Sequence, residues 1–261
     1  MKPNRISGIA YLLLIVFAFS ACKKVININL NSASPRYVVE GNVTNQAAPY
    51  LVSITKSINF DQDNVYPTVS GATVVITDMT TMLADTLKEQ TPGNYYTTIT
   101  NGIPGHTYRL YVNAAGNIFT ASSTMPPVVT LDSLYTQNSA FGDRQVLVPV
   151  YTDPAATGNY YHFKEVRNDT VTDAIQIRND NLINGQVVKL PLNGGSDLKA
   201  GDSVTLYLET IDSAVYQYYY SLEQTTNQNS ATPANPLSNI SGGALGYFSA
   251  HTSSGKSILV Q

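Results

Sequence analysis

The sequence predicts a mainly β protein, with two β-sandwich-like domains in tandem and one short helix in the second. Apolar and polar residues alternate at period two through much of the chain, as in 50–57 (YLVSITKS), which turns one side of each segment to a core and the other to water. The residue stock is that of half-exposed strands, with 18 Tyr against 7 Phe and abundant Thr, Ser and Asn. Turn signals such as Pro92-Gly93 and Ala115-Gly116-Asn117 recur at sandwich spacing until Met125-Pro126-Pro127 interrupts the pattern.

Size and charge agree. The 261 residues match roughly two domains of about 100 to 150 residues. A hydrophobic fraction of 43% supports a core, and a charged fraction of only 13% excludes disorder by charge excess. The formal net charge of −3 leaves no basic surplus to neutralise phosphates, and no local basic patch stands out, so no nucleic-acid partner is expected.

At the N-terminus, Lys2 and Arg5 precede an apolar run over 9–19 that is too short to span a bilayer comfortably and gives way to small residues. That is the layout of a secretory signal peptide over 1–21. The run ends in Phe19-Ser20-Ala21-Cys22, which resembles a bacterial lipobox and implies a Cys22 that becomes the acylated N-terminus. Cys22 is the single cysteine, so it has no internal disulfide partner, and acylation accounts for a lone thiol in an exported chain. Lys23 and Lys24 follow it and would hold the anchor against anionic headgroups. Residues 22–35 then read as a lipid-anchored tether, or as a first edge strand through VININL.

The N-terminal domain is expected over 36–124, Ig-like or carboxypeptidase-regulatory-like. Its strands are 36–43 (RYVVEGNV), 50–57, 71–78 (GATVVITD), the weaker 82–87, 94–100 (NYYTTIT), 108–112 (YRLYV) and 118–123. Two consecutive prolines cannot donate to a ladder, so a boundary is placed at 125–128 and a C-terminal β-domain over 125–261. Its strands are expected at 128–137, 144–151, 159–167, 174–178, 187–191 and 203–210. Over 213–226, behind Asp212 as N-cap, Val215, Tyr219 and Leu222 recur at i, i+4 and i+7, which predicts the helix. Tyr216, Tyr219 and Tyr220 are assigned to its apolar face, and Tyr218 is left partly off it, available for ligand contact. The Asn-, Ser- and Pro-rich stretch 227–240 reads as a long loop, and 245–250 and 257–260 as two closing strands.

Tyr37-Val38-Val39-Glu40-Gly41, Gly71-Ala72-Thr73-Val74 with Asp78, Tyr108-Arg109-Leu110, and Met125-Pro126-Pro127 with Leu131-Asp132-Ser133-Leu134 complete a familiar pattern behind the lipobox. So do Asn235-Pro236, Ser238-Asn239-Ile240, Gly242-Gly243 and Leu245-Gly246-Tyr247-Phe248 at the end. Across the mature chain this resembles a Bacteroidota outer-membrane lipoprotein family known only as domain of unknown function 4249. The resemblance implies no catalytic residues. It implies an accessory or ligand-capture role beside a TonB-dependent outer-membrane transporter, with a small ligand, a membrane contact through the lipid anchor, and either face of the outer membrane as location.

The chemistry-bearing motifs are weak. The segment 250–257 satisfies a permissive phosphate-loop pattern ending Gly255-Lys256-Ser257, but no helix can follow it and no βαβ alternation precedes it. Asp61-Gln62-Asp63-Asn64 opens like a calcium loop, yet Tyr66 and Ala72 stand where an EF-hand needs Gly and Glu. His106, His162 and His251 lie far apart with no ligand spacing, so no metal or other cofactor is expected and they are taken as structural or surface residues. No Gly-x-Ser-x-Gly elbow or local triad occurs, which favours a non-enzymatic binding module. A structural or adhesive surface protein, and a hydrolase with an unrecognised site, are the alternatives. Five tripeptides (Asp85-Thr86-Leu87, Asp132-Ser133-Leu134, Asp169-Thr170-Val171, Asp202-Ser203-Val204, Asp212-Ser213-Ala214) resemble an O-glycosylation acceptor of exported proteins in that phylum. Thr86 and Thr170, beside expected loops, are the candidate positions, and turn and cap chemistry is the competing explanation.

Overall fold

The computed structural model describes residues 34–59, 62–140, 142, 144–193, 197–226 and 235–261. Cys22, the signal peptide, most of the tether, Asp61 and the first part of the 227–240 loop lie outside them. The first strands are β1 (Tyr37–Thr44), β2 (Leu51–Lys56), β3 (Thr73–Asp78), β4 (Leu83–Thr86), β5 (Lys88–Thr91), β6 (Asn94–Tyr96), β7 (Thr107–Ala114) and β8 (Asn117–Thr124). After the prolines come β9 (Leu131–Asn138), β10 (Gln145–Thr152), β11 (Tyr160–Arg167), β12 (Thr170–Val171), β13 (Ile177–Asn179), β14 (Val187–Val188) and β15 (Ser203–Ile211). The helix α1 (Ser213–Thr226) and β16 (Leu245–Leu259) finish the chain.

A long sheet runs β12-β11-β15-β16-β1-β2-β6-β5, with β13 also on β11, and two smaller sheets run β4-β3-β7-β8 and β14-β10-β9. Alternation puts the apolar side of the long sheet against both. Val39, Val43, Ile54, Tyr95, Phe248 and Ala250 meet Val74, Ile76, Leu110 and Phe119 in one core. Tyr161, Phe163, Leu206 and Leu208 meet Leu131, Leu147, Tyr151 and Val188 in a second. The fold is therefore mainly β with two sandwich-like lobes, as the alternation predicts.

The C-terminal domain expected over 125–261 is not self-contained. Residues 35–261 form one compact unit, because β16 belongs to both lobes. Its first half pairs parallel with β1, from Val38↔Leu245 to Thr44↔His251. Its second half pairs antiparallel with β15, from Thr210↔Thr252 to Ser203↔Leu259. The 125–128 segment marks the passage between cores and is pinned: Met125 is fully buried, its N–H donates to His106 O at 2.9 Å, and Thr252 donates to Pro127 O at 3.2 Å.

The two closing strands expected at the tail are this single strand. Among the described residues each half of β16 has one side without a neighbouring strand, and an asparagine side chain fills the gap in each case. Asn239 accepts from Phe248 N–H at 3.0 Å and donates to Phe248 O at 2.7 Å. Asn45 accepts from Ser253 N–H at 2.8 Å, while its Nδ2 donates to Ser253 O at 3.4 Å. Each asparagine gives a backbone N–H of β16 its acceptor, and Gln46 Nε2 donates to Ser253 O as well, at 3.2 Å. The stretch 250–257 thus lies in a ladder, which disposes of a phosphate loop.

The strand expected over 94–100 stops at Tyr96, because the N–H groups of Thr98, Ile99 and Thr100 turn to the Asp85 carboxylate, each at 2.8 Å. The helix starts where the N-cap places it, with Val215 N–H donating to Asp212 Oδ1 at 2.9 Å.

Candidate functional site

The outer side of the long sheet is polar. Strand register alone brings together side chains that are remote in sequence: His162 pairs with Glu209 across β11 and β15, and Glu209 with Ser253 across β15 and β16. His251, two residues before Ser253, therefore shares their side, as do Tyr247 on β16 and Asn42 and Thr44 on β1. The site sits where β16 passes from one neighbour to the other. A cleft of about 630 Å³ opens there, walled by His162, Lys164, Tyr207, Glu209, Tyr219 and His251 among others. A second, of about 360 Å³, is lined by Glu40 and Ser53 and shares Asn42, Thr44 and Tyr247 with the first.

At the base of the larger cleft Glu209 is buried between two imidazoles. His162 Nδ1 lies 2.7 Å from Glu209 Oε2, and His251 Nε2 lies 3.7 Å from Oε1. Burial opposes the carboxylate's charge, but the attraction of His251, the hydrogen bond from His162 and the charge of Lys164 outweigh it and hold the carboxyl at about 2. An ionised carboxylate only accepts, so His162 carries a proton on Nδ1. His251 is pushed below the ordinary imidazole value, foremost by burial, with Glu209 pulling the other way.

The helix roofs part of this face. Tyr219 stacks on His162 with ring centroids 4.3 Å apart and planes 6° from parallel. The Tyr219 hydroxyl donates to Tyr247 Oη at 3.1 Å, and Asn42 Nδ2 donates to the same oxygen at 3.4 Å. Tyr247 thus accepts twice, which leaves its own O–H free to donate. Burial raises the pKa of both phenols, keeping them neutral donors and acceptors. Glu40 is exposed but crowded by protein, and desolvation raises its pKa.

Tyr218 is not the available ring that the helical reading expects. It is buried at 8% exposure and packs on Tyr247 at 4.8 Å, while Tyr220, assigned to the core, is 46% exposed. The packed face runs through Val215, Tyr218, Tyr219 and Leu222, so the i+3 position, not i+5, completes the stripe. The tyrosine rings that line the cleft are Tyr207, Tyr219 and Tyr247.

The remaining sequence candidates scatter. His106 pairs with Asp78 at 2.8 Å, away from the cleft. Asp63 and Asn64 sit in an exposed loop, and among the described residues no group of three or more His, Cys, Asp or Glu is placed to hold a metal ion. Thr86 and Thr170 are exposed on β4 and β12. Asp85 is buried against the 98–100 turn, and Asp212 caps the helix, so both tripeptides have structural work for their acids. One serine–histidine–acid chain does form: Ser249 Oγ lies 3.0 Å from His251 Nδ1, whose ring faces Glu209. Ser249 is only 1% exposed, so its hydroxyl cannot meet a substrate.

The family assignment rests on the whole two-lobed chain. A family model described as Domain of unknown function (DUF4249) matches residues 23–257. The chain belongs to that family. The matched span contains every residue of both clefts. None of the curated proteins compared with the chain matches it.

Proposed function

We propose that the protein is a Bacteroidota outer-membrane lipoprotein, acylated at Cys22, that acts without catalysis as a ligand-capture or accessory module of a TonB-dependent transporter. The observation that carries the reading is the pair of adjoining clefts at the β16 crossover, which present phenol, amide, hydroxyl and imidazole groups beside apolar walls. Such a lining fits a small polar organic ligand. The burial of Ser249 supports capture over hydrolysis, because the hydroxyl hydrogen-bonded to His251 is closed to a substrate. The lipobox supports the anchor, and the family resemblance supports the transporter.

The direct test is a pull-down from detergent-solubilised outer membrane with the acylated chain as bait. Co-purification of a transporter barrel supports the reading, and its absence under conditions that keep the lipid label on Cys22 contradicts it. A Cys22→Ser variant that still took up a lipid analogue would overturn the anchor.

A further inference from the structure

The charges that line the larger cleft balance in number but are not paired in contact. Among the described residues that line it, Glu209 is the one carboxylate, and that charge is enclosed: His162 donates to Oε2 at 2.7 Å, His251 flanks Oε1 at 3.7 Å, and the side chain is only 11% exposed. Lys164 is the one permanent cation among the described residues that line the cleft. It stands two residues from His162 on β11, on the same side of the sheet and opposite Tyr207 in the register, and makes no ion pair among the described residues. Two further groups on this face have unengaged hydrogen-bonding capacity. Among the described residues His162 has Nδ1 committed to Glu209 and no partner for Nε2, and Tyr247 accepts two hydrogen bonds while its own proton has no acceptor. Beside these polar groups, Val166, Val171, Ala174 and the Tyr207 ring supply apolar wall.

We infer that the cleft takes a small organic carboxylate, with Lys164 as its counter-ion, Tyr247 and His162 as hydrogen-bonding partners, and the Val166–Val171–Ala174 wall against its apolar body. The inference rests on the capture reading and narrows it to one ligand class. An exposed strand lysine is ordinarily a solvated charge. What sets Lys164 apart is that the carboxylate lining its cleft is already enclosed by two imidazoles, so the cation has no ion-pair partner among the described residues. A carboxylate is the complement to that lysine and to the phenol donor, whereas a cationic ligand would meet Lys164 as a like charge and reach Glu209 only by displacing a histidine. A neutral ligand would leave the ammonium to water and lose the charge-assisted contact.

Matched probes test this on the full chain in detergent, by saturation-transfer NMR titration: 4-hydroxybenzoate against 4-hydroxybenzamide, and D-glucuronate against D-glucose. The acid of at least one pair is expected to bind about tenfold or more tightly than its neutral partner, the scale of one charge-assisted hydrogen bond. Lys164→Met, which keeps the aliphatic stem, should abolish that preference, and Lys164→Arg should retain it. A Lys164→Met chain that melts as the wild type does while still preferring the acids overturns the inference. Equal binding of acid and neutral partners also overturns it but leaves capture standing. Binding of none of the four overturns the carboxylate class, and capture is then decided by the extraction comparison that closes the Discussion.

Discussion

Asp85 and Glu209 are both buried carboxylates held at about 2, one in each lobe, yet they are held by different means. Asp85 has burial against it and is rescued by the Thr98 and Thr100 hydroxyls and the N–H groups of Thr98, Ile99 and Thr100, five donors fixed in one turn. Glu209 is rescued by two imidazoles on neighbouring strands, one of which keeps a nitrogen unengaged beside a cleft. The same depressed pKa therefore marks a structural clasp in the first lobe and the base of a binding surface in the second. What separates the two is whether the partners of the acid have further hydrogen-bonding capacity, and whether that capacity faces open volume.

The largest effect is expected where the lobes are joined. Gly246 has φ near +91°, and a Cβ there would lie 2.1 Å from Val39 O. Gly246→Ala should cost about 3–4 kcal/mol by combining backbone strain with a clash across the β1–β16 ladder. Urea melts read it, and a loss under about 1 kcal/mol would mean that the ladder is not what closes the first lobe.

Next comes Asp85→Ala, which strips the acceptor from three N–H groups and two hydroxyls at once, those of Thr100 buried, and should cost about 3 kcal/mol. Glu209→Gln keeps an acceptor for His162 and should cost only about 1–2 kcal/mol. Equal losses in denaturant titrations would erase the contrast between clasp and cleft.

The smallest effect is in pH dependence. His251, flanked by Glu209, His162, Lys164 and Asp212, has its pKa lowered from 6.5 by burial. The unfolded chain therefore takes up a proton first, and stability present above pH 6.5 declines as pH falls below it. The carboxylates add a steeper loss lower down: Glu209 from 4.5 towards 2, and Asp85 from 3.8 towards 2, since each contributes stability only while ionised. His251→Gln should flatten the decline between about pH 7 and 5 by about 1 kcal/mol or less. An unchanged slope would place that limb on another histidine.

The sequence reads well where one element carries its own signal. The helix is legible from Asp212 to its end, because the cap and the apolar recurrence are local. Most strands are legible from alternation. β5 is not, since all four of its residues are exposed and nothing alternates. Nor is the continuity of β16, where Ser253-Ser254-Gly255-Lys256 looks like a turn; Gly255 is required because a Cβ would meet the Tyr207 ring at 2.9 Å. The site is less legible than the fold. His162, Glu209 and His251 become neighbours only through the register of three strands, and no spacing in the chain encodes that register. Helical recurrence puts Tyr218 on the wrong side because the helix has more aromatic residues than its packed stripe can hold, and only contact with Tyr247 decides which of them are buried.

The central claim is that the cleft at the β16 crossover holds a small ligand in the native membrane. Thr44 lines both clefts, and Thr44→Trp would fill the space between them. Wild type and Thr44→Trp would be purified from native outer membrane, confirmed to melt alike, and extracted for mass spectrometry of small molecules. The account predicts a compound enriched with the wild type and lost from the variant. Identical extracts from two equally folded proteins would contradict it.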